Sequence, residues 1–363
     1  MSANIDFIVN KSNLSESRFV SGDSASLNEG EVRFRVEKYA FTANNVTYGV
    51  AGDMLNYWQF FPAEEGWGRI PVWAIGAVAE SRHGGFSEGD RYYGYFPMSS
   101  TLTVQPDRVS ESGFFDSTAC RQELAPTYNQ YSRVAPEFGF DPAYEDHAML
   151  YRPLFATSFL IDDWLADADF FGAKTLVLSS ASSKTSFGLA FQTALRGKED
   201  FRIIGLTSPG NVAFVEGLGC YDQAVAYDDI SSIPNDGPTG YVDMAGSGEV
   251  TAAVHNHFAD QLKLSLGVGL THWQDAGQNT NLPGAERQMF FAPDQIRKRA
   301  KELGPQAFQQ AIGTALAQLY AFADEHVEIV QRSGQDGVES TYQEMLAGNA
   351  QPNQGFIVSM DTP

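Results

Sequence analysis

From about residue 154 onward, short apolar runs alternate with amphipathic stretches, a spacing that few folds accommodate. Residues 175–179 (TLVLS) read as a short buried strand, and 180–183 as a turn of small residues. Residues 185–195 (TSFGLAFQTAL) follow with the apolar face of a helix. The pattern then recurs: a strand at 202–206, a Ser208-Pro209-Gly210 turn, and a helix ending near Gly217. Further short strands fall at 224–226, 241–244 and 264–269, and a helix over 155–166 precedes the series. Strands separated by helices in this rhythm predict βαβ units and a parallel sheet covered on both faces. The right-handed crossover rule makes a doubly wound sheet the leading topology.

The chain before residue 150 has a different grain. Residues 31–40 (EVRFRVEKYA) alternate polar and apolar with the period of a half-buried strand, and 72–80 (VWAIGAVAE) form a more continuous apolar one. A turn at 87–91 leads into 92–96, while 106–139 has few clear periods and is expected to be rich in loops. Residues 293–332 carry the Ala- and Gln-rich periodicity of a helix, and 356–359 look like a final strand. The expected class is α/β, in three segments. Residues 1–153 are expected to be a β-rich domain, 154–284 the doubly wound domain, and 285–363 a C-terminal segment returning to the first.

Composition narrows the function. Twenty-four basic against 45 acidic residues give a net charge of −21, which argues against nucleic acid and anionic membranes as partners. An anionic cofactor is still compatible, because a helix N-terminus and one lysine hold phosphate locally. Cys120 and Cys220 are the only cysteines in 363 residues, too few for a disulfide scaffold. The first residues lack the basic flank and apolar run of a signal peptide, and no apolar stretch is long enough to span a bilayer. A soluble, cytoplasmic protein acting on a small molecule is the expectation.

A doubly wound sheet binds ligands beyond the carboxyl ends of its strands. The first strand-to-helix turn here is Ser179-Ser180-Ala181-Ser182-Ser183-Lys184-Thr185, not a Gly-x-Gly-x-x-Gly fingerprint. Its small residues, hydroxyls and backbone N–H groups still form a workable pyrophosphate cradle at a helix N-terminus. A phosphate-binding P-loop fits poorly, since Ser183 and Leu178 stand where that motif needs glycines. The second strand runs into Thr207, Ser208 and Asn211 without the acid that holds the ribose diol of NAD. Together with Lys184, this favours NADP(H). Tyr227, Gly246 and Ser247 follow later strands and complete the expected cofactor set, with Gly269 and Leu270 ending the next strand. A small-residue turn with no ligand is the competing reading.

At these motifs the chain resembles the medium-chain dehydrogenase/reductase superfamily, in its zinc-free quinone and enoyl reductase branch. Residues 34–52 look like that family's first GroES-like hairpin, including an Asn-x-x-x-Tyr stretch that ends at Tyr48. Gly76, Val78, Gly89-Asp90-Arg91 and Gly94 are similar to its Gly-x-Val and Gly-Asp-Arg segment, and Gly217 to Asp222 to its Leu-Gly-Ala-Asp. The serine-rich turn also looks like that of a poorly characterised group of bacterial and fungal proteins, a domain of unknown function. The resemblance implies a GroES-like domain beside a Rossmann domain, and a homodimer formed through the strand at 264–270. Departures point away from metal: Val72-Trp73-Ala74 stand where zinc enzymes carry Gly-His-Glu, and no cluster of four cysteines exists. His255 and His257 lie two apart in a predicted helix, where they do not share a face.

In zinc-free relatives a hydride adds to the β-carbon of a conjugated carbonyl, and a tyrosine or backbone group stabilises or protonates the product anion. By that resemblance Tyr48 is the first catalytic candidate, with Asn45 beside it and Tyr57 second. A phenol suits the role because its pKa, about 10, keeps it protonated at neutral pH. The implied activity is NADP(H)-dependent reduction of an activated alkene, quinone or related small carbonyl compound. A lyase or isomerase using bound NADP, and a catalytically silent NADP-binding sensor or scaffold, remain open. The polar loop at 275–287 is a candidate lid.

Overall fold

A computed structural model describes residues 4–268, 282–290 and 292–361. The chain divides into two units, one of Met1–Leu150 with Val327–Pro363, the other Tyr151–His326.

The second unit is built on a six-stranded sheet. Its strands are β1 (Thr175–Leu178), β2 (Arg202–Thr207), β3 (Gln223–Ala226), β4 (Thr239–Asp243), β5 (Leu262–Gly267) and β6 (Arg287–Met289). They lie in the order β3-β2-β1-β4-β5-β6, every neighbouring pair parallel. This is the doubly wound order expected from the sequence, with the chain stepping outward from β1 in both directions. All four residues of β1 are buried, as parallel strands covered on both faces require. Val177, Ile204, Leu206, Val225, Tyr241 and Val254 form one core, each aliphatic contributing about 1.5–3 kcal/mol by leaving water. Helices α1 (Lys184–Ala194), α2 (Val212–Gly217) and α3 (Gly248–Phe258) follow β1, β2 and β4. Serines start two of them: Ser183 Oγ accepts from the Ser186 N–H, and Ser247 Oγ from that of Val250.

The first unit holds a nine-stranded sheet and a three-stranded one. The long strands Val32–Phe41, Pro71–Ser81 and Arg91–Pro97 are antiparallel neighbours in the larger sheet. Gln354–Ser359 and Glu328–Ser333 extend it past Val32–Phe41. The core is strongly aromatic: Phe34, Phe114 and Tyr131 stack with nearly parallel rings, and Phe96 meets Phe34 edge-on.

Several boundaries differ from the sequence reading. The chain re-enters the first unit at Val327 rather than at 285. Residues after 285 stay in the second unit because β6 pairs with β5 and the helices Ala292–Leu303 and Pro305–His326 follow it. The predicted C-terminal helix stops at His326, and Glu328–Ser333 is a strand parallel to Gln354–Ser359. The helix expected from 155 begins at Glu145 and runs through Pro153 to Asp167. Its first turn is fixed by charge: Arg91 and Lys38 both reach Glu145, at 2.6 and 3.2 Å. The supposed loop at 106–139 contains the strands Pro106–Ser110, Gly113–Asp116 and Gln130–Arg133. The stretch read as a hairpin breaks after Phe41 into a helix, Ala43–Val50. No helix among the described residues is long and apolar enough to cross a membrane.

Gly205, in the middle of β2, lets the first turn sit close. A Cβ there would lie 2.8 Å from the Ala181 Cβ and 3.0 Å from Val215. Gly205→Ala is expected to destabilise the protein by about 1–3 kcal/mol through overpacking, measured by urea unfolding.

Candidate functional site

Chemistry in the second unit gathers where β1 and β4 leave the sheet side by side. The β1 turn is tied down by several of its own atoms. Ala181 N–H donates to the Leu206 carbonyl at 2.9 Å, and Ser180 N–H to the Tyr227 hydroxyl at 3.0 Å. The Tyr221 hydroxyl donates to the Ala181 carbonyl at 3.0 Å, and Ser186 Oγ to that of Ser179 at 3.1 Å. Ser180 takes φ +50°, the left-handed conformation that glycine adopts without strain. Serine occupies it here because tyrosines hold the turn from two sides.

Ser182 Oγ accepts from Asn211 Nδ2 at 3.1 Å and lies 3.4 Å from Thr207 Oγ1. Ser208 starts the turn that carries Asn211, whose N–H donates to the Ser208 carbonyl. Thr185 follows Lys184 in the first turn of α1, where Ser183 satisfies the Ser186 N–H and the helix leaves its earlier N–H groups pointing outward. Lys184 is half-buried, and desolvation pushes its ammonium down to about 8. Ser180 to Thr185, Thr207, Ser208, Asn211, Tyr227, Gly246 and Ser247 therefore share the carboxyl edge of one sheet. Gly269 and Leu270, like residues 275–281 of the candidate lid, lie outside the described residues.

The sequence reading gave no role to the group that organises this edge. Asp243 ends β4 and is 1% exposed. Its Oδ1 accepts from Ser179 Oγ at 2.8 Å and from the N–H groups of Gly246 and Ala245 at 2.9 and 3.1 Å. Its Oδ2 accepts from Arg287 Nη2 at 2.6 Å and Thr251 Oγ1 at 3.3 Å. Ser179 Oγ in turn accepts from the Met244 and Ala245 N–H groups. Burial works to raise the carboxyl's pKa, but Arg287, the Gly246 N–H and the Ser179 hydroxyl outweigh it and hold it below the usual carboxylate range. The available signal was an acid closing an apolar strand, directly before Met-Ala-Gly-Ser-Gly.

Both nitrogens of His255 serve the fold: Nδ1 meets the Pro283 carbonyl and Nε2 the Ser265 hydroxyl, each at 2.8 Å. His257 Nε2 reaches the Ile233 carbonyl. Among the described residues no cluster of His, Cys, Asp or Glu is arranged to hold a metal ion.

Within the first unit, helix Ala43–Val50 presents Tyr48 to a cluster with Phe60, Phe61, Tyr95 and Leu124. Tyr48 is 5% exposed, and its hydroxyl accepts from Asn44 Nδ2 at 2.8 Å, which leaves its own proton to donate. Tyr57 packs on it with ring centres 4.5 Å apart and shares a 3.2 Å hydroxyl contact with Tyr128. Burial first, then Tyr128, raises the pKa of both phenols, so each stays protonated at neutral pH. Asn45 is employed otherwise. Its Oδ1 accepts from the Thr42 N–H at 2.8 Å, as the N3 partner of a capping box, and its Nδ2 donates to the Pro71 carbonyl at 2.9 Å. That amide is committed to starting the helix that carries Tyr48.

The Asp243 hub has a pH signature. Its folded pKa lies below its unfolded one, about 3.9, so its contribution is whole above that value and is lost as pH falls through the folded pKa. Asp243→Asn is expected to cost roughly 2–4 kcal/mol at neutral pH, because Arg287 loses its counter-charge. Its stability should also fall less steeply than the wild type's on acidification, as followed by denaturant unfolding across the acid range.

Comparison with solved structures places this architecture. It is similar to CurA from Vibrio vulnificus, solved in complex with NADPH, with a TM-score of 0.63 at 14% identity over 99% of this chain and 100% of that one. A quinone oxidoreductase from Coxiella burnetii gives 0.55 at 12% identity over 98% and 99%. The yhdH oxidoreductase from Salmonella enterica, solved in complex with NADP, gives 0.53 at 13% over 98% and 100%. At these identities the likeness is one of fold. No curated protein matches the sequence significantly. A family model described as a protein of unknown function (DUF2855) matches residues 39–351. That match spans most of both units, so the chain belongs to this family of unknown function, and its fold is like that of CurA and of the quinone oxidoreductase.

Proposed function

We propose that the protein is an NADP(H)-dependent, zinc-free oxidoreductase that reduces an activated alkene, a quinone or a related small carbonyl compound. The observation that carries this reading is the edge formed by β1, β2 and β4. A tight turn, a helix N-terminus and the Ser182–Thr207–Asn211 cluster meet there at the switch in strand order. The residues present suit the cofactor. The first N–H groups of α1 fit a pyrophosphate. No acid closes β2 to repel a 2′-phosphate, and Lys184 supplies positive charge beside it. NADPH, when bound, supplies the hydride. The likeness to CurA, solved with NADPH, and to the yhdH oxidoreductase, solved with NADP, supports the choice of nucleotide.

Tyr48 is the group proposed to donate a hydrogen bond, and then a proton, to the substrate's carbonyl oxygen. Asn44 donates to its oxygen, which orients the hydroxyl and keeps its proton free for substrate. Asn45 is a positioning residue, since it acts through the helix that bears Tyr48. One observation favours a second reading, a catalytically silent NADP-binding sensor: Tyr48 is almost wholly enclosed.

Titration with NADPH and NADH by nicotinamide fluorescence tests the first step, with tighter binding of NADPH expected. Lysine is charged below its pKa, so NADPH affinity should fall as pH rises through about 8. Lys184→Met should remove that dependence and cut the preference for NADPH roughly tenfold or more, the value of one charge-assisted hydrogen bond. Absence of binding by either nucleotide would end the reading. Turnover tests the second step: Tyr48→Phe should lower kcat on an enone or quinone roughly 10²-fold or more while leaving NADPH affinity unchanged. Full activity in that variant would remove Tyr48 from the mechanism. NADPH bound but never consumed across the panel would establish the silent binder.

A further inference from the structure

We propose that Tyr95 and Trp73 are positioning residues for Tyr48: together with Asn44 they surround its phenol oxygen with three donors and stabilise the phenolate left when Tyr48 gives up its proton. The inference rests on the reading of Tyr48 as proton donor, and it adds the groups that hold the resulting charge.

The backbone brings the four side chains together. Trp73 and Tyr95 stand directly opposite in the antiparallel pair formed by Pro71–Ser81 and Arg91–Pro97, so they share one face of the sheet. Their ring centres lie 5.1 Å apart. Asn44 and Tyr48 are four residues apart on the helix Ala43–Val50 and share one face of it. Asn45 Nδ2, bonded to the Pro71 carbonyl two residues before Trp73, pins that helix to the strand. Tyr48 thereby meets Tyr95 edge-on with ring centres 5.8 Å apart, and Asn44 Nδ2 donates to the Tyr48 oxygen at 2.8 Å. Phe60 and Tyr128 pack on the Tyr95 ring at 5.2 and 4.6 Å between centres, which holds the ring and leaves only its hydroxyl hydrogen to turn.

Two of the three donors are unspent. The Tyr95 hydroxyl and Trp73 Nε1 are buried and have no hydrogen-bond partner among the described residues. Buried donors left so are costly, and folded proteins keep few of them. Neither atom has accessible surface, so water does not satisfy it and substrate does not touch it. What they act on is the oxygen of Tyr48. Burial and then Tyr128 push the Tyr48 phenol up, while Trp73, Asn44 and Tyr95, as hydrogen-bond donors, pull it down. Donors fixed around an oxygen before it acquires charge stabilise that charge without reorganising, as in an oxyanion hole. Asn44 serves the neutral phenol, and Tyr95 and Trp73 complete their bonds as charge develops. In this step the Tyr48 O–H bond breaks and its proton goes to the carbonyl oxygen of the substrate that has accepted hydride from NADPH. The electron pair stays on the Tyr48 oxygen, and water returns a proton to it after the product leaves.

The ionisation of residue 48 reads these donors with no substrate or nucleotide present. Trifluorotyrosine placed at position 48 of the full chain, with a phenol acidic enough to titrate in the folded protein, is followed by fluorine NMR across pH. Tyr95→Phe and Trp73→Phe should each lower its ionisation constant roughly tenfold or more, the worth of one hydrogen bond to a charged group. A structural role alone would leave the constant unchanged or raise it by admitting water. Tyr128→Phe should do just that, because Tyr128 disfavours the charge. Tyr95→Phe removes only an unpartnered oxygen, so it should melt no lower than the wild type. In turnover it should lower kcat roughly tenfold or more with KM unchanged. If Trp73→Phe does not fold, Tyr95→Phe decides alone. A constant unchanged or raised in one folded variant removes that residue from the proposal, and in both overturns it. Lowered constants with full kcat in both, on a substrate the wild type reduces, would overturn it as well. NADPH never consumed by the wild type, with the constants lowered, fails the reductase reading and leaves the donors' hold on Tyr48 established.

Discussion

A single buried carboxylate organises the carboxyl edge of the parallel sheet. Asp243 joins the end of β4 to the end of β1 through Ser179, to the Ala245–Gly246 turn through backbone N–H groups, and to β6 through Arg287. Each bond closes a backbone or side-chain group that a buried strand end would otherwise leave unsatisfied. The lowered pKa is the electrostatic trace of that arrangement. It also explains why the chain stays in the second unit beyond residue 285. Arg287 is the counter-charge of Asp243, so β6 is bound to the sheet by more than its short ladder with β5.

The turn after β1 shows a second constraint. Dinucleotide folds ordinarily use glycines there, because the backbone turns sharply and comes close to phosphate. In this chain Ser180 adopts the left-handed conformation, and the strain of order 1–2 kcal/mol is offset by the hydrogen bonds from its own N–H to the Tyr227 hydroxyl and from the Ala181 N–H to the Leu206 carbonyl. Glycine is kept at a different place, Gly205 of β2, where Ala181 must pack against the strand. Gly205 thus permits a close approach between the turn and the strand beneath it, which is a different approach from that of backbone to phosphate. A search for the fingerprint alone therefore misses the turn.

The doubly wound sheet was legible because short apolar runs with β-branched residues separated by helical periods have few other solutions. Strands β1, β2 and β4 fall within two residues of their predicted positions. Residues whose partners are distant in sequence were not legible. Asp243 and Arg287 lie 44 positions apart, and nothing local to either pairs one with the other. Glu328–Ser333 becomes a strand only because Gln354–Ser359 pairs with it. Asn45 shows the opposite failure: it stands beside Tyr48 in sequence, which suggested shared chemistry, yet its amide closes a helix cap. The sequence reading took this stretch for a hairpin, so it missed the helix and with it which side chains on that helix are free.

The central claim is that the carboxyl edge of β1, β2 and β4 receives NADPH. Hydrogen exchange read by mass spectrometry, with and without the nucleotide, tests it most directly. The account predicts slower exchange at the backbone amides of residues 182, 184, 185, 208 and 210, with those of Ser183, Asn211 and Gly246, already hydrogen-bonded within the fold, slow in both states. Protection confined to other segments, or none at saturating NADPH, would contradict it.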